Sequence, residues 1–332
     1  MNRMENPLAG VKSEKFRQVG KPLIRTDSPT KVYGTAVYAG DLTMPGMLYA
    51  AVLHSERASA LLRRVDTTRA KELAGVHCVL TAEDLPASQG VMTDMPGQTG
   101  GMTKNTKQPI LAKGRVRFCG EPIALVAAES VAIAEQAIGL IDVDYQDIDG
   151  VYDPFDALAP GAPIVYGDDN VVASYKIRKG DIEKGFAEAD VIVENTFTTQ
   201  YQEQAFLEPE AALAWVDELE VLNIRSSTQV VEHYRAVADA IGLPHNRVRL
   251  RAEFVGGGFG GKEVMTIEVW LALLALASRR PVRLVQPRER SFLSHGPRHP
   301  FNITHRTGVT RDGKITALQI SFTSDAGAYA KL

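Results

Sequence analysis

Between residues 256 and 263 the sequence runs Gly-Gly-Gly-Phe-Gly-Gly-Lys-Glu. Glycine is costly to order, each about 0.5–1 kcal/mol worse than alanine in regular structure. A plain turn needs one or two glycines, and five in six residues point to a backbone that closely approaches some rigid group. The flanks read as a strand, residues 247–255, and an apolar helix, residues 263–278. Amide groups at such a helix start would favour an anion. Three chemistries compete. Gly256, Gly261 and Lys262 fit a phosphate loop, but Glu263 stands where a magnesium-binding hydroxyl belongs, and its charge would repel a triphosphate. Gly256, Gly258 and Gly261 fit a dinucleotide fingerprint. The following strand ends Gln286-Pro287 without the carboxylate a ribose needs, although Arg288 could suit a 2′-phosphate. The third is a loop whose main chain meets another rigid ligand, with Phe259 packed against it and Glu263 aimed into the site. The glycine excess favours this one.

Other chemistry-bearing residues are scattered. Gln229 closes a Ser-Ser-Thr-Gln run; it could be a polar helix cap, or an amide donor to an oxygen ligand. His295 and His299 have helical i, i+4 spacing, but Gly296-Pro297 break the helix and a zinc site would need a third ligand, so they read as loop or cap residues. His233 borders an apolar helical stripe and is expected to be partly exposed. Cys119 reads as a small hydrophobe. Glu208 and Glu210 read as part of a structural strand.

The elements that must position these groups are legible. Apolar runs at 48–54, 76–81 and 122–128 read as strands, and 130–140 as a helix before an alternating strand, 141–145. Residues 67–72 look like one or two helical turns. Residues 86–109 lack periodicity and read as a long surface loop. A Pro-, Gly- and Asp-rich stretch, 151–169, reads as linker. Beyond it come a helix capped by Asp181, a strand 191–202, a hairpin 211–225, a helix 230–241 stopped by Gly242 and Pro244, a strand 282–286, and a hairpin 301–324.

The chain has 332 residues, net charge −3, 45% hydrophobic and 23% charged residues, which excludes a disordered chain. No apolar run reaches 18 residues, so no membrane span is expected. Two cysteines are too few for a disulfide framework, and a reducing, cytoplasmic setting is the simplest expectation. Residues 1–31 carry a charge of +4, read as a solvated arm with no nucleic-acid partner. An apolar run just before Leu332 suggests a fragment or one part of a split protein.

At the glycine loop the sequence resembles the xanthine dehydrogenase and aldehyde oxidase family of molybdenum hydroxylases. The likeness extends to residues 19–39, Gly120-Glu121-Pro122, 141–145, 202–212, Ser226–Gln229 and Arg298–Phe301, in family order. It implies an α+β fold: an N-terminal arm (1–30), an α/β hammerhead domain (31–150), a linker (151–172) and the first part of a molybdenum-cofactor-binding α+β domain (173–332). It implies cofactor contacts at Gln229, Gly257, Gly258, Phe259, Gly260 and Gly261, with Gln229 and Phe259 nearest the metal and Glu263 on the substrate side. The implied reaction is oxidative hydroxylation of an aldehyde or N-heterocycle with water as oxygen source. The implied cofactor is a molybdenum–molybdopterin, in a dinucleotide form. Iron–sulfur clusters, with an FAD in some relatives, would sit on partner subunits. The general-base glutamate is expected beyond residue 332, in the remainder of the subunit, so this chain alone is expected to be inactive. Gln204 departs from a histidine common in the family. A cofactor-carrying assembly protein and a nicotinamide-dependent enzyme are the competing classes.

Overall fold

The structure, a computed structural model, describes residues 17–85, 91–93 and 107–329. Part of the expected arm (1–16) and most of the expected loop (86–90 and 94–106) lie outside the described residues. The chain divides into Met1–Val37 and Tyr38–Leu332. In the first unit, helix α1 (Ser28–Val32) follows Asp27, whose carboxylate accepts from Arg25 and Lys31.

The second unit begins with β1 (Leu48–His54), β2 (Ala60–Asp66), α2 (Thr68–Glu72), β3 (Val76–Thr81), β4 (Val91–Thr93), β5 (Lys107–Pro109), β6 (Arg115–Val116), β7 (Pro122–Ala128), α3 (Val131–Ile138) and β8 (Asp142–Asp147). It continues with α4 (Pro154–Ala157), α5 (Ile182–Ala187), β9 (Val191–Thr198), β10 (Ala211–Val216), β11 (Leu222–Ser226), α6 (His233–Ile241), β12 (Val248–Ala252), α7 (Glu268–Ser278), β13 (Val282–Val285), α8 (Arg288–Ser294), β14 (Phe301–Val309) and β15 (Ile315–Ser324). This is the α+β class expected.

A seven-stranded mixed sheet runs in the order β12-β11-β10-β13-β1-β7-β3, so strands from both halves of the sequence share one sheet. The run Pro122–Ala128 is apolar throughout because β7 is buried along its whole length. Helix α7 is likewise apolar all round. Val269, Leu271, Ala272, Leu274 and Ala275 are fully enclosed against the sheet, as suits a helix covered on every side. Ser130 caps α3 through the Ile133 N–H and Asp181 caps α5 through the Lys184 N–H, two local signals the sequence carries plainly. A separate sheet, β15-β14-β9, stands apart from the seven strands.

The structure differs from expectation at several element ends. Within the expected 86–109 loop, β4 and β5 pair antiparallel. Strand β9 stops at Thr198 rather than 202, where Gln202 turns to bridge Arg298. Residues 206–210 are irregular rather than strand, because Glu208 folds back onto Gly256 and Lys262. Helix α7 starts at Glu268, not 263. Glu268 spends one carboxylate oxygen on the Thr266 N–H and the other on Ser226, fixing the first turn there. Cys119, read as a small hydrophobe, is exposed. Among the described residues no helix is long and apolar enough to cross a membrane.

Candidate functional site

The Ser226–Gln229 run is held by its hydroxyls and presents its amide. Ser226 donates to the buried Glu268 carboxylate at 2.7 Å, and the Ser227 hydroxyl accepts from the Ala211 N–H. Thr228 lies 3.1 Å from His233 Nδ1, and the Gln229 N–H donates to Lys262 O at 3.0 Å. With its main chain fixed, the exposed Gln229 side chain reaches the glycine loop. Its Oε1 accepts from the Gly260 N–H at 3.1 Å, and its Nε2 donates to Glu263 Oε1 at 3.4 Å. Groups 31 and 34 residues apart in sequence thus meet at one exposed rim.

The loop explains its own glycines. A Cβ on Gly258 would lie 2.7 Å from Gln229 Cδ and closer still to its Oε1. One on Gly261 would lie 2.6 Å from the ring of His295. The glycine excess is therefore at least partly a demand of the protein's own side chains, not of a ligand alone. Phe259 sits at the tip in the left-handed region, φ 51°, its side chain 65% exposed. That conformation costs an L-residue about 1–2 kcal/mol; Arg298 Nη2 donates to the Phe259 carbonyl at 2.7 Å and helps to hold it.

Lys262 does not face outward as a phosphate-loop lysine would. It is buried, donates to Glu208 O at 2.8 Å and Oε2 at 2.9 Å, and lies 4.7 Å from the Phe206 ring centroid. Burial lowers its pKa, with Glu208 opposing. The loop closes in a short 3-10 turn, Gly261–Glu263, and extended residues separate it from α7. Neither the phosphate-loop geometry nor the dinucleotide fingerprint, both of which run directly into a helix, is present.

Two histidines matter where the sequence reading gave them no role. His233, expected to be partly exposed, is 1% exposed. Its Nε2 donates to Glu263 O at 2.8 Å while Nδ1 faces Thr228, so it supports both Glu263 and the neighbour of Gln229. It was misread because it begins α6, where the turn from Thr228 delivers it inward. His295 caps α8 and is buried under the loop. Its Nε2 is 2.9 Å from Gly261 O, and its Nδ1 is 3.3 Å from Glu203 Oε1. His299 is not beside it in function: it is half-buried, and burial lowers its pKa. Among the described residues no cluster of three or more His, Cys, Asp or Glu could hold a metal.

Burial alone would lower the His295 pKa, but the Glu203 carboxylate, the Gly261 carbonyl and Glu210 together outweigh it and raise it. A raised folded pKa means that the imidazolium contributes stability in full below the unfolded value of 6.5 and loses it as pH climbs through the folded value. The wild-type advantage over His295→Gln is therefore expected to shrink on going from pH 6 into the alkaline range, as read by thermal melts. A constant advantage would show that the ring is neutral.

The chemistry of the donor set suits an oxygen-rich ligand. Among the described residues the N–H groups of Gly257, Gly258 and Phe259 have no protein acceptor. They stand beside the Gln229 amide, with Glu263 as the carboxylate that the amide meets, while Glu208 is taken up by the Gly256 N–H and Lys262. These groups hydrogen-bond rather than coordinate, which fits a metal whose direct ligands come from its own cofactor.

Comparison with known proteins agrees. Residues 165–332 match the family model for the molybdopterin cofactor-binding domain, and residues 33–149 match that for the aldehyde oxidase and xanthine dehydrogenase a/b hammerhead domain. The nicotinate dehydrogenase large molybdopterin subunit of Eubacterium barkeri is 33% identical, the match covering 95% of this chain and 72% of that one. The xanthine dehydrogenase/oxidase of Rattus norvegicus is 32% identical, over 93% of this chain but 22% of its own length. The aldehyde oxidoreductase of Desulfovibrio gigas superposes with a TM-score of 0.83 at 29% identity, over 91% of this chain and 34% of that one.

Proposed function

Because this chain belongs to the xanthine dehydrogenase and aldehyde oxidase family of molybdenum hydroxylases, we propose that it forms one wall of a molybdenum–molybdopterin site. In this reading Gln229 and the main chain of Phe259 lie beside the metal, and Gly257, Gly258, Gly260 and Gly261 line the approach. Bound there, the cofactor would supply two-electron oxidation, with water as oxygen source. The chain's own residues would orient. The Gln229 amide, held by the Gly260 N–H, would donate to an oxygen of the ligand, and the unpaired loop N–H groups would add to it. Glu263 would accept a hydrogen bond from an N-heterocycle. The observation that carries this reading is the meeting of Gln229, Gly260 and Glu263 at one exposed rim.

The general base, the iron–sulfur clusters and any flavin are proposed to lie on other chains or segments. The chain spans 72% of one relative and 22% of the other. In this reading such a segment would cover one face of the separate three-stranded sheet. Val193, Phe197, Leu318, Ile320 and Phe322 share that face by register and alternation. Phe197 is 56% and Phe322 62% exposed. An apolar face of this kind marks a protein contact. By itself, with cofactor added, the chain is expected to give no turnover.

The test is the metal and pterin content of the native assembly, with wild-type Gln229 and with Gln229→Ala. Molybdenum and a pterin are expected in the first, and at least a tenfold loss of kcat/KM in the second, on the scale of one hydrogen bond to a charged group. An assembly without either cofactor would end the proposal. Glu263→Gln then probes the substrate class: the loss should be larger for a purine than for an aldehyde, and equal losses would remove Glu263 from recognition.

A further inference from the structure

We infer that His295 and Arg298 form a two-point clamp that turns the carbonyls of the glycine loop away from its ligand face, making them positioning residues for whatever the loop holds. Both side chains leave the short segment after α8, three residues apart. They reach carbonyls two residues apart, His295 at Gly261 O and Arg298 at Phe259 O. The segment is itself anchored: the His295 N–H donates to Ser291 O at 3.1 Å and the Arg298 N–H to Gln202 O at 2.8 Å. The His295 ring stands edge-on to Phe206, centroids 5.4 Å apart, which fixes its plane.

The consequence follows from counting acceptors along the loop. Gly258 O accepts from the Gly261 N–H and Gly260 O from the Glu263 N–H. With the clamp on Phe259 O and Gly261 O, all four carbonyls from 258 to 261 are engaged by the protein. Within 258–261 the groups left over are the N–H donors of Gly258 and Phe259. This stretch therefore offers hydrogen to an electronegative ligand rather than oxygen to a cation, and among the described residues the one carbonyl of the loop without a protein donor is that of Gly257, ahead of the clamped stretch. An unclamped loop could turn either kind of group outward, since glycine permits both conformations. Only the identity of the ligand rests on the proposed function; the clamp does not.

The test uses amide hydrogen exchange of the 256–263 segment in the native assembly, with cofactor-loaded and cofactor-depleted material measured side by side. Arg298 is exposed, so Arg298→Met leaves the core intact, and it is expected to speed exchange at Gly260 and Gly261 about tenfold, the scale of one charge-assisted hydrogen bond. Arg298→Lys, which keeps a donor, should recover part of that protection. His295→Gln should act in the same direction. In loaded material Arg298→Met should also speed molybdenum release, with Arg298→Lys in between. Unchanged exchange in Arg298→Met, or Lys no better than Met, overturns the clamp. If the wild-type assembly holds no molybdenum while the exchange effect persists, the cofactor reading fails and the clamp stands.

Discussion

Gly258→Ala is expected to cost at least tenfold in cofactor retention while leaving the global fold almost untouched. The new methyl group would overlap Gln229 Oε1 and press on its Cδ at 2.7 Å. Gln229 is an exposed, flexible side chain, so it can swing aside at little cost to stability. In doing so it gives up the Gly260 N–H and the Glu263 carboxylate, and the amide leaves the rim. Structural strain and site loss are therefore separable at this position. The check is molybdenum content beside a thermal melt. A variant that melts within about 2 °C of wild type but retains little metal fits, whereas full metal content would mean that Gln229 does not need its observed place.

The largest stability effect is expected at Lys262→Met, about 3–5 kcal/mol, the cost of stranding one partner of a buried ion pair. The lysine side chain is 2% exposed and that of Glu208 14%. Methionine fills the space over Phe206, but it leaves the Glu208 carboxylate with the Gly256 N–H as its remaining partner. Adding Glu208→Gln should restore more than half of the loss, because an amide oxygen can still accept from Gly256 without a buried charge. Urea melts of the single and double variants decide it. A loss under about 1 kcal/mol for the single variant would show that the pair is worth no more than an exposed one.

Those two positions also mark what could and could not be read from the chain alone. Strand and helix cores such as Pro122–Ala128 and Glu268–Ser278 were legible because burial on all sides writes a continuous apolar run. The glycine loop and Gln229 were legible as site material by composition and by resemblance. The direction of Lys262 was not, since nothing local says whether a lysine after two glycines turns out to a ligand or in to a carboxylate 54 residues away. His233 and His295 were missed for a related reason. Each acts on a main-chain carbonyl, and a carbonyl acceptor leaves no trace in residue type. The starts of α6 and α7 were placed too early because backbone turn bonds three residues apart precede α6, and ahead of α7 the Thr266 N–H is taken by the Glu268 side chain rather than by helix.

The shared sheet has a consequence for biosynthesis. Leu48 pairs with Val282, roughly 230 residues later, so β1, which has β7 on its other side, has no neighbour on one side until β13 has left the ribosome. Closing so long a loop is slow, and during that interval an apolar strand edge is open to other nascent chains. Expression at lowered temperature, or with a holdase chaperone that covers the waiting edge, should raise the soluble yield more than any change near the glycine loop.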